Sequence, residues 1–147
     1  MIMTFYIDGS CLGNPGRGGW AIVDNHGNKV KDGNKQLATS PEMELKAALE
    51  ALILANATGE EVRIYSDSEY VVKGINVWLA NWIAKGWRGS NRKPVAHKEI
   101  WVQIAELLGL VRDRLQVIWV AAHQGDPLNS LADSYAYAAA MREPDSE

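Results

Sequence analysis

Four carboxylates stand where their types and positions suggest chemistry. Asp8 ends an apolar run, Thr4 to Ile7, and leads into the glycine-rich stretch Gly9-Ser10-Cys11-Leu12-Gly13-Asn14-Pro15-Gly16. Asp67 ends a second such run, Val62 to Ser66, while Glu44 falls between Met43 and Leu45 in the first turns of a helical pattern. Asp133 lies on the last helical stretch, beyond His123-Gln124-Gly125 and Asn129. Acids that interrupt apolar segments are costly unless solvated, hydrogen-bonded or bound to a cation. Gathered at one edge of a sheet, they would make an oxygen-rich site for a hard divalent metal. That is the equipment of a two-metal phosphodiester hydrolase.

Each acid taken singly has an ordinary reading. Asp8 reads equally as an Asx-turn residue before Gly9, and Asp67 as a helix N-cap before Ser68. Glu44 alone reads as a solvated helix residue, and Asp133, on an alanine-rich helix, as exposed. His123 falls in a loop after the apolar run Val117 to Val120. Loop histidines are usually surface residues, but one beside a carboxylate site can shuttle protons because it titrates near neutrality.

The elements that would position these residues follow from periodicity and turn chemistry. Phe5 to Asp8, Gly19 to Asp24 and Lys29 to Ala38 read as three strands of an antiparallel meander, with Asn25 to Asn28 as a turn. A helix follows, with Ser40 as N-cap and Pro41 at its first position. Leu45, Ala48, Leu49, Leu52 and Ile53 mark its buried face. Val62 to Ser66 is a buried strand, Ser68 to Gly74 and Trp78 to Gly86 are short helical pieces, and Lys98 to about Leu108 is a longer helix. Leu115 to Val120 is the last strand, and Pro127 to Arg142 the last helix. Trp20 and Trp119, inside strands, read as core. The order predicts an α/β domain with a mixed sheet.

At 147 residues the chain reads as one domain, residues 1–142, with a short acidic tail at 143–147. No apolar run approaches the roughly 20 residues that span a bilayer, and no signal peptide is visible. Cytoplasmic is the expectation. The single cysteine, Cys11, excludes an intramolecular disulfide framework. The net charge of −3 hides an uneven distribution: Trp82 to Lys98 carries Lys85, Arg88, Arg92, Lys93 and Lys98 and no acid. Such a segment suits contact with phosphates, and equally a solvated face. Trp78, Trp82, Trp87 and Trp101 surround it, and aromatic side chains among basic ones suit nucleic acid; burial is the competing reading for Trp101.

Taken together, Tyr6 to Gly16, Met43-Glu44-Leu45, Tyr65-Ser66-Asp67-Ser68 and His123-Gln124-Gly125 through Asn129 to Ala132-Asp133 resemble type 1 ribonuclease H of the bacterial kind. Trp78-Leu79-Ala80-Asn81-Trp82 through Lys85-Gly86-Trp87 also resembles the helix and basic protrusion of that family. The resemblance implies a ribonuclease H-like fold, a five-stranded mixed sheet with helices on both faces. It implies an enzyme that cuts the RNA strand of RNA/DNA hybrids, acts as a monomer, and leaves 5′-phosphate and 3′-hydroxyl ends. It further implies two Mg²⁺ ions, replaceable by Mn²⁺, on Asp8, Glu44, Asp67 and Asp133, with His123 assisting proton transfer or product release. Asn14 is implied at the hybrid's minor groove, Thr39 and Asn81 at a DNA-strand phosphate, and Trp78 and Trp82 along the DNA side, with Lys85 and Arg88 on the basic arm.

The chain departs from the family pattern at Ser40 and Pro41, where asparagines are common, at Glu42, where a basic residue is common, and at Glu69, where glutamine is common. These departures bear on hybrid affinity and not on the carboxylates. Two rival readings use the same features: a nuclease of this fold that cuts DNA, and a hybrid-binding module without catalysis. The complete carboxylate set disfavours the second, and the basic protrusion disfavours the first.

Overall fold

A computed structural model describes residues 1–122 and 126–144. Strands β1 (Ile2–Leu12), β2 (Gly16–Asp24) and β3 (Lys29–Ala38) form an antiparallel meander. Helix α1 (Ser40–Thr58) then crosses over to β4 (Glu61–Ser66), parallel to β1. Helix α2 (Glu69–Lys73), a π turn (Gly74–Trp78), α3 (Leu79–Ala84) and α4 (Lys98–Val111) lead to β5 (Leu115–Trp119) and α5 (Pro127–Met141). The sheet order is β3-β2-β1-β4-β5, so β1 and its parallel neighbour β4 occupy the middle. The five-stranded mixed sheet matches the expectation.

Helices cover both faces. The backbone of α5 comes so close to β2 that a Cβ on Gly19 would lie 2.3 Å from the Ala136 carbonyl oxygen. Ala132, Ala136, Ala139 and Ala140 give α5 the smooth face that this approach requires. On the other face α1 is buried nearly all round, between the sheet and α4, so its alanines at 47, 48, 51 and 55 are covered as fully as its leucines. Trp101, Ile104, Leu108 and Val111 of α4 complete that core. Among the described residues no helix is long and apolar enough to cross a membrane.

Several boundaries differ from the periodicity reading, each for a local reason. β1 does not stop at Asp8; Gly9 to Leu12 keep pairing with Trp20 to Arg17. The cap of α1 is Thr39, whose hydroxyl accepts from the Glu42 N–H at 3.4 Å, so Pro41 occupies the second helical position. Ile53 is 42% exposed because alanines take the sheet-facing positions of α1. Ser68, and not Asp67, caps α2, accepting from the Val71 N–H at 3.2 Å. Trp119 is 47% exposed, since β5 is an edge strand.

Candidate active site

The register of β1 and β4 brings the first two acids together. Ile7 pairs with Ser66, so Asp8 and Asp67 follow at the same level on adjacent parallel strands. Tyr6 and Tyr65, paired one step earlier, stack with ring centroids 4.8 Å apart and pin that register. Carboxylates at the C-terminal ends of parallel strands lie where open α/β sheets hold ligands.

Gly9 brings in the third. A Cβ there would sit 2.4 Å from the backbone nitrogen of Glu44, so only glycine lets the first turns of α1 lie against β1 beside Asp8. Gly9→Ala is expected to push α1 outward, destabilising the fold by about 1–3 kcal/mol and separating Glu44 from Asp8. Thermal melting and hybrid-cleavage assays check this; unchanged values for both would remove the positioning role of Gly9.

Asp133 comes from α5, on the opposite face of the sheet, and its carboxyl lies near enough to that of Asp8 to raise it. It is half-buried, not exposed as its alanine-rich surroundings suggested. Asp8 is 6% exposed. Burial, then the nearby charge of Asp67, then the contact with Asp133 push its carboxyl up to about 9. The Gly9 N–H, donating to Asp8 Oδ1 at 2.9 Å, pulls the other way without prevailing. Glu44 is also raised, mainly by burial; the Ser68 hydroxyl opposes this and Asp67 adds to it.

Four acids from four elements thus influence one another in sequence, Asp133 with Asp8, Asp8 with Asp67 and Asp67 with Glu44, although among the described residues no three Asp, Glu, His or Cys side chains are already drawn into a ready-made metal cage. The donor set would fit a hard cation: all four candidate groups are carboxylates, and Asp8, raised to about 9, would give up its proton to one.

One residue at this site carried no assigned role in the sequence. Asn129 is 1% exposed, and its Nδ2 donates to Asp67 Oδ2 at 3.4 Å. The signal was its spacing, four residues before Asp133 and hence on the same helix face. Trp119 also reaches the site, its Nε1 donating to the Asp67 carbonyl at 3.3 Å. His123 lies outside the described residues.

The remaining candidates form two groups. Asn14 and Thr39 meet at the start of α1, where Asn14 Oδ1 accepts from the Ser40 N–H at 2.9 Å. Trp78, Asn81, Trp82, Lys85 and Arg88 line one cavity of about 560 Å³ with Tyr70 among its walls. Buried Trp101 is its pedestal: it meets Trp82 edge-on at 5.1 Å and donates from Nε1 to the Tyr70 hydroxyl at 3.0 Å. Burial is therefore the correct reading of Trp101. Arg88 braces the basic loop by donating to the Arg92 carbonyl at 2.9 Å. The departures are quiet: the Lys35 ammonium lies against Glu42, and Glu69 is exposed, 3.8 Å from Lys73.

A sheet that gathers four carboxylates beside a basic, aromatic-walled cavity defines an α/β protein equipped for nucleic-acid hydrolysis. The chain belongs to the RNase H family, whose model matches residues 1–141. It is 42% identical over 136 residues to Ribonuclease H of Bordetella pertussis, covering 91% of this chain and 86% of that protein. It is 39% identical over 136 residues to Ribonuclease HI of Caulobacter vibrioides, covering 91% and 89%. Among solved structures it resembles a foamy viral protease-reverse transcriptase in complex with dsDNA, at TM-score 0.83 and 25% identity over 95% of this chain and 94% of that one. It also resembles LC9-RNase H1, a type 1 RNase H with the type 2 active-site motif, at TM-score 0.75 and 26% identity over 95% and 72%. The chain is a ribonuclease H, a hydrolase.

Proposed function

We propose that this ribonuclease H hydrolyses the RNA strand of RNA/DNA hybrids, leaving 5′-phosphate and 3′-hydroxyl ends. The observation that carries the reading is the meeting of Asp8, Glu44, Asp67 and Asp133 from β1, α1, the end of β4 and α5. These carboxylates would hold two Mg²⁺ ions, or Mn²⁺ in their place. When bound, the cations supply charge to stabilise the transition state and a neutral-pH route to a nucleophile.

The chain's own residues do the rest. Burial and the nearby charge of Asp67 raise Asp8 and Glu44, a cost that bound counter-charge would offset. Asn14 and Thr39 at the start of α1 orient one strand. The Thr39 hydroxyl is already an acceptor for Glu42 N–H, which leaves its O–H to donate to a phosphate oxygen. The cavity walled by Trp78 and Trp82 takes the DNA strand, with Asn81, Lys85 and Arg88 at its phosphates. His123 moves a proton near the departing 3′-oxygen. The protein works as a cytoplasmic monomer of one domain, residues 1–142, with residues 143–147 as a tail.

Mapping the cleavage ends tests this chemistry. In Mg²⁺ the 5′ ends should accept label only after phosphatase treatment, and cyclic-phosphate ends would contradict it. The basic loop gives a second expected result. Neutralising Lys85, Arg92 and Lys93, while sparing the bracing Arg88, should raise KM, hold kcat, and flatten the salt slope of hybrid binding by roughly one unit per lost contact. An unchanged slope would make the loop a solvated face.

A further inference from the structure

Asn129 carries a polar atom that the fold does not use. Its side chain is 1% exposed, its Nδ2 is committed to Asp67 Oδ2 at 3.4 Å, and its Oδ1 is buried with no hydrogen-bond partner among the described residues. The orientation of the amide is forced, because an ionised carboxylate can only accept. Burying an acceptor without a donor is costly, and a leucine of similar size would avoid that cost. Oδ1 shares its carbon with Nδ2, so the unused acceptor lies on the same amide that holds Asp67.

We propose that Asn129 is a positioning residue for hydrolysis, with Oδ1 accepting a hydrogen bond from the attacking water while Nδ2 fixes Asp67. This rests on the hydrolytic reading above. Water is the nucleophile of that reaction, and it brings an O–H that an unused acceptor beside Asp67 can orient. Its oxygen forms the new bond to phosphorus and the bond from phosphorus to the 3′-oxygen breaks. One hydrogen of the water ends on the departing 3′-oxygen and the other on the new phosphate monoester. Asn129 takes no proton; it holds the water's orientation. A misplaced reacting group costs rate without costing affinity for the remote parts of the substrate.

The test compares Asn129→Leu, which removes both functions, with Asn129→Asp, which keeps an acceptor at the Oδ1 position and loses the donor to Asp67. Single-turnover rates and KM on a hybrid in Mg²⁺ are measured beside metal-free melting and calorimetric Mg²⁺ titration. Asn129→Leu should lose about tenfold or more in single-turnover rate with KM within about twofold, and should melt no lower than the parent because an orphaned acceptor has gone. Asn129→Asp should recover a clear part of the rate despite its added charge. Wild-type rate in Asn129→Leu would mean that Oδ1 holds a structural water only, and would overturn the proposal. Equal loss in both variants with weakened Mg²⁺ binding would also overturn it, because Asn129 would then act through Asp67 alone. If Asn129→Leu fails to fold, Asn129→Ala, which also lacks donor and acceptor, replaces it under the same criteria. Failure of the hydrolytic reading is separate: the parent itself would then leave hybrids uncut.

Discussion

Asp67→Asn is expected to lose hybrid cleavage by about 10³-fold or more while keeping its fold. Asp67 sits at the end of β4, level with Asp8, and takes hydrogen bonds on its side chain from Asn129 and on its carbonyl from Trp119. An amide in its place can still meet Trp119 through the backbone, so the strand end stays put. It cannot supply negative charge to a cation, so the site loses the charge balance on which the chemistry depends. Circular dichroism should be unchanged and turnover in Mg²⁺ absent. Turnover near that of the parent would remove Asp67 from the site.

Asp8→Asn should also lose turnover, and it should make the metal-free protein more stable at neutral pH. The sign follows from the direction of the shift. The folded carboxyl is pushed up to about 9, and the unfolded one keeps the ordinary value of 3.8. The folded state therefore holds the proton more tightly. The stability that Asp8 contributes is complete below about pH 4 and drains away as pH rises toward 9. Asparagine is neutral throughout and escapes that loss. With chelator present, the melting temperature of Asp8→Asn should exceed the parent's by several degrees at pH 7, and the two should converge near pH 3. Saturating Mg²⁺ should narrow the gap by stabilising the parent alone. A variant that melts lower than the parent at pH 7 without metal would show that Asp8 is not held as a strained, protonated acid.

The sequence made some of this legible and hid the rest for physical reasons. Asp8 and Asp67 stood out because each closes an apolar run, and the parallel pairing of β1 with β4 places them at one level. The end of β1 was misread because Gly9-Ser10-Cys11-Leu12 has turn composition. Gly9 is there because the backbone of α1 presses against it, a contact between distant segments that periodicity does not register. Asp133 looked exposed because alanines surround it. Those alanines instead let α5 lie flat on β2 and bring its acid to Asp8. Thr39 and Ser40 are both good caps by type, and the choice fell to Thr39, leaving the Ser40 N–H for Asn14 across the β1–β2 turn. Trp119 read as core by its place in an apolar strand, but an edge strand leaves its side chain half covered. Asn129 went unassigned because an asparagine on a helix has many uses. Its burial against Asp67 is visible only in three dimensions.

The most direct measurement incubates the protein with Mg²⁺ and four labelled substrates: an RNA/DNA hybrid, RNA/RNA, DNA/DNA and single-stranded RNA, each with and without chelator and with Asp67→Asn as control. Cutting of the RNA strand of the hybrid alone is expected, at many positions, abolished by chelator and by the substitution. Cleavage of duplex DNA, or hybrid binding with no cutting by the parent in Mg²⁺, would contradict the proposed function.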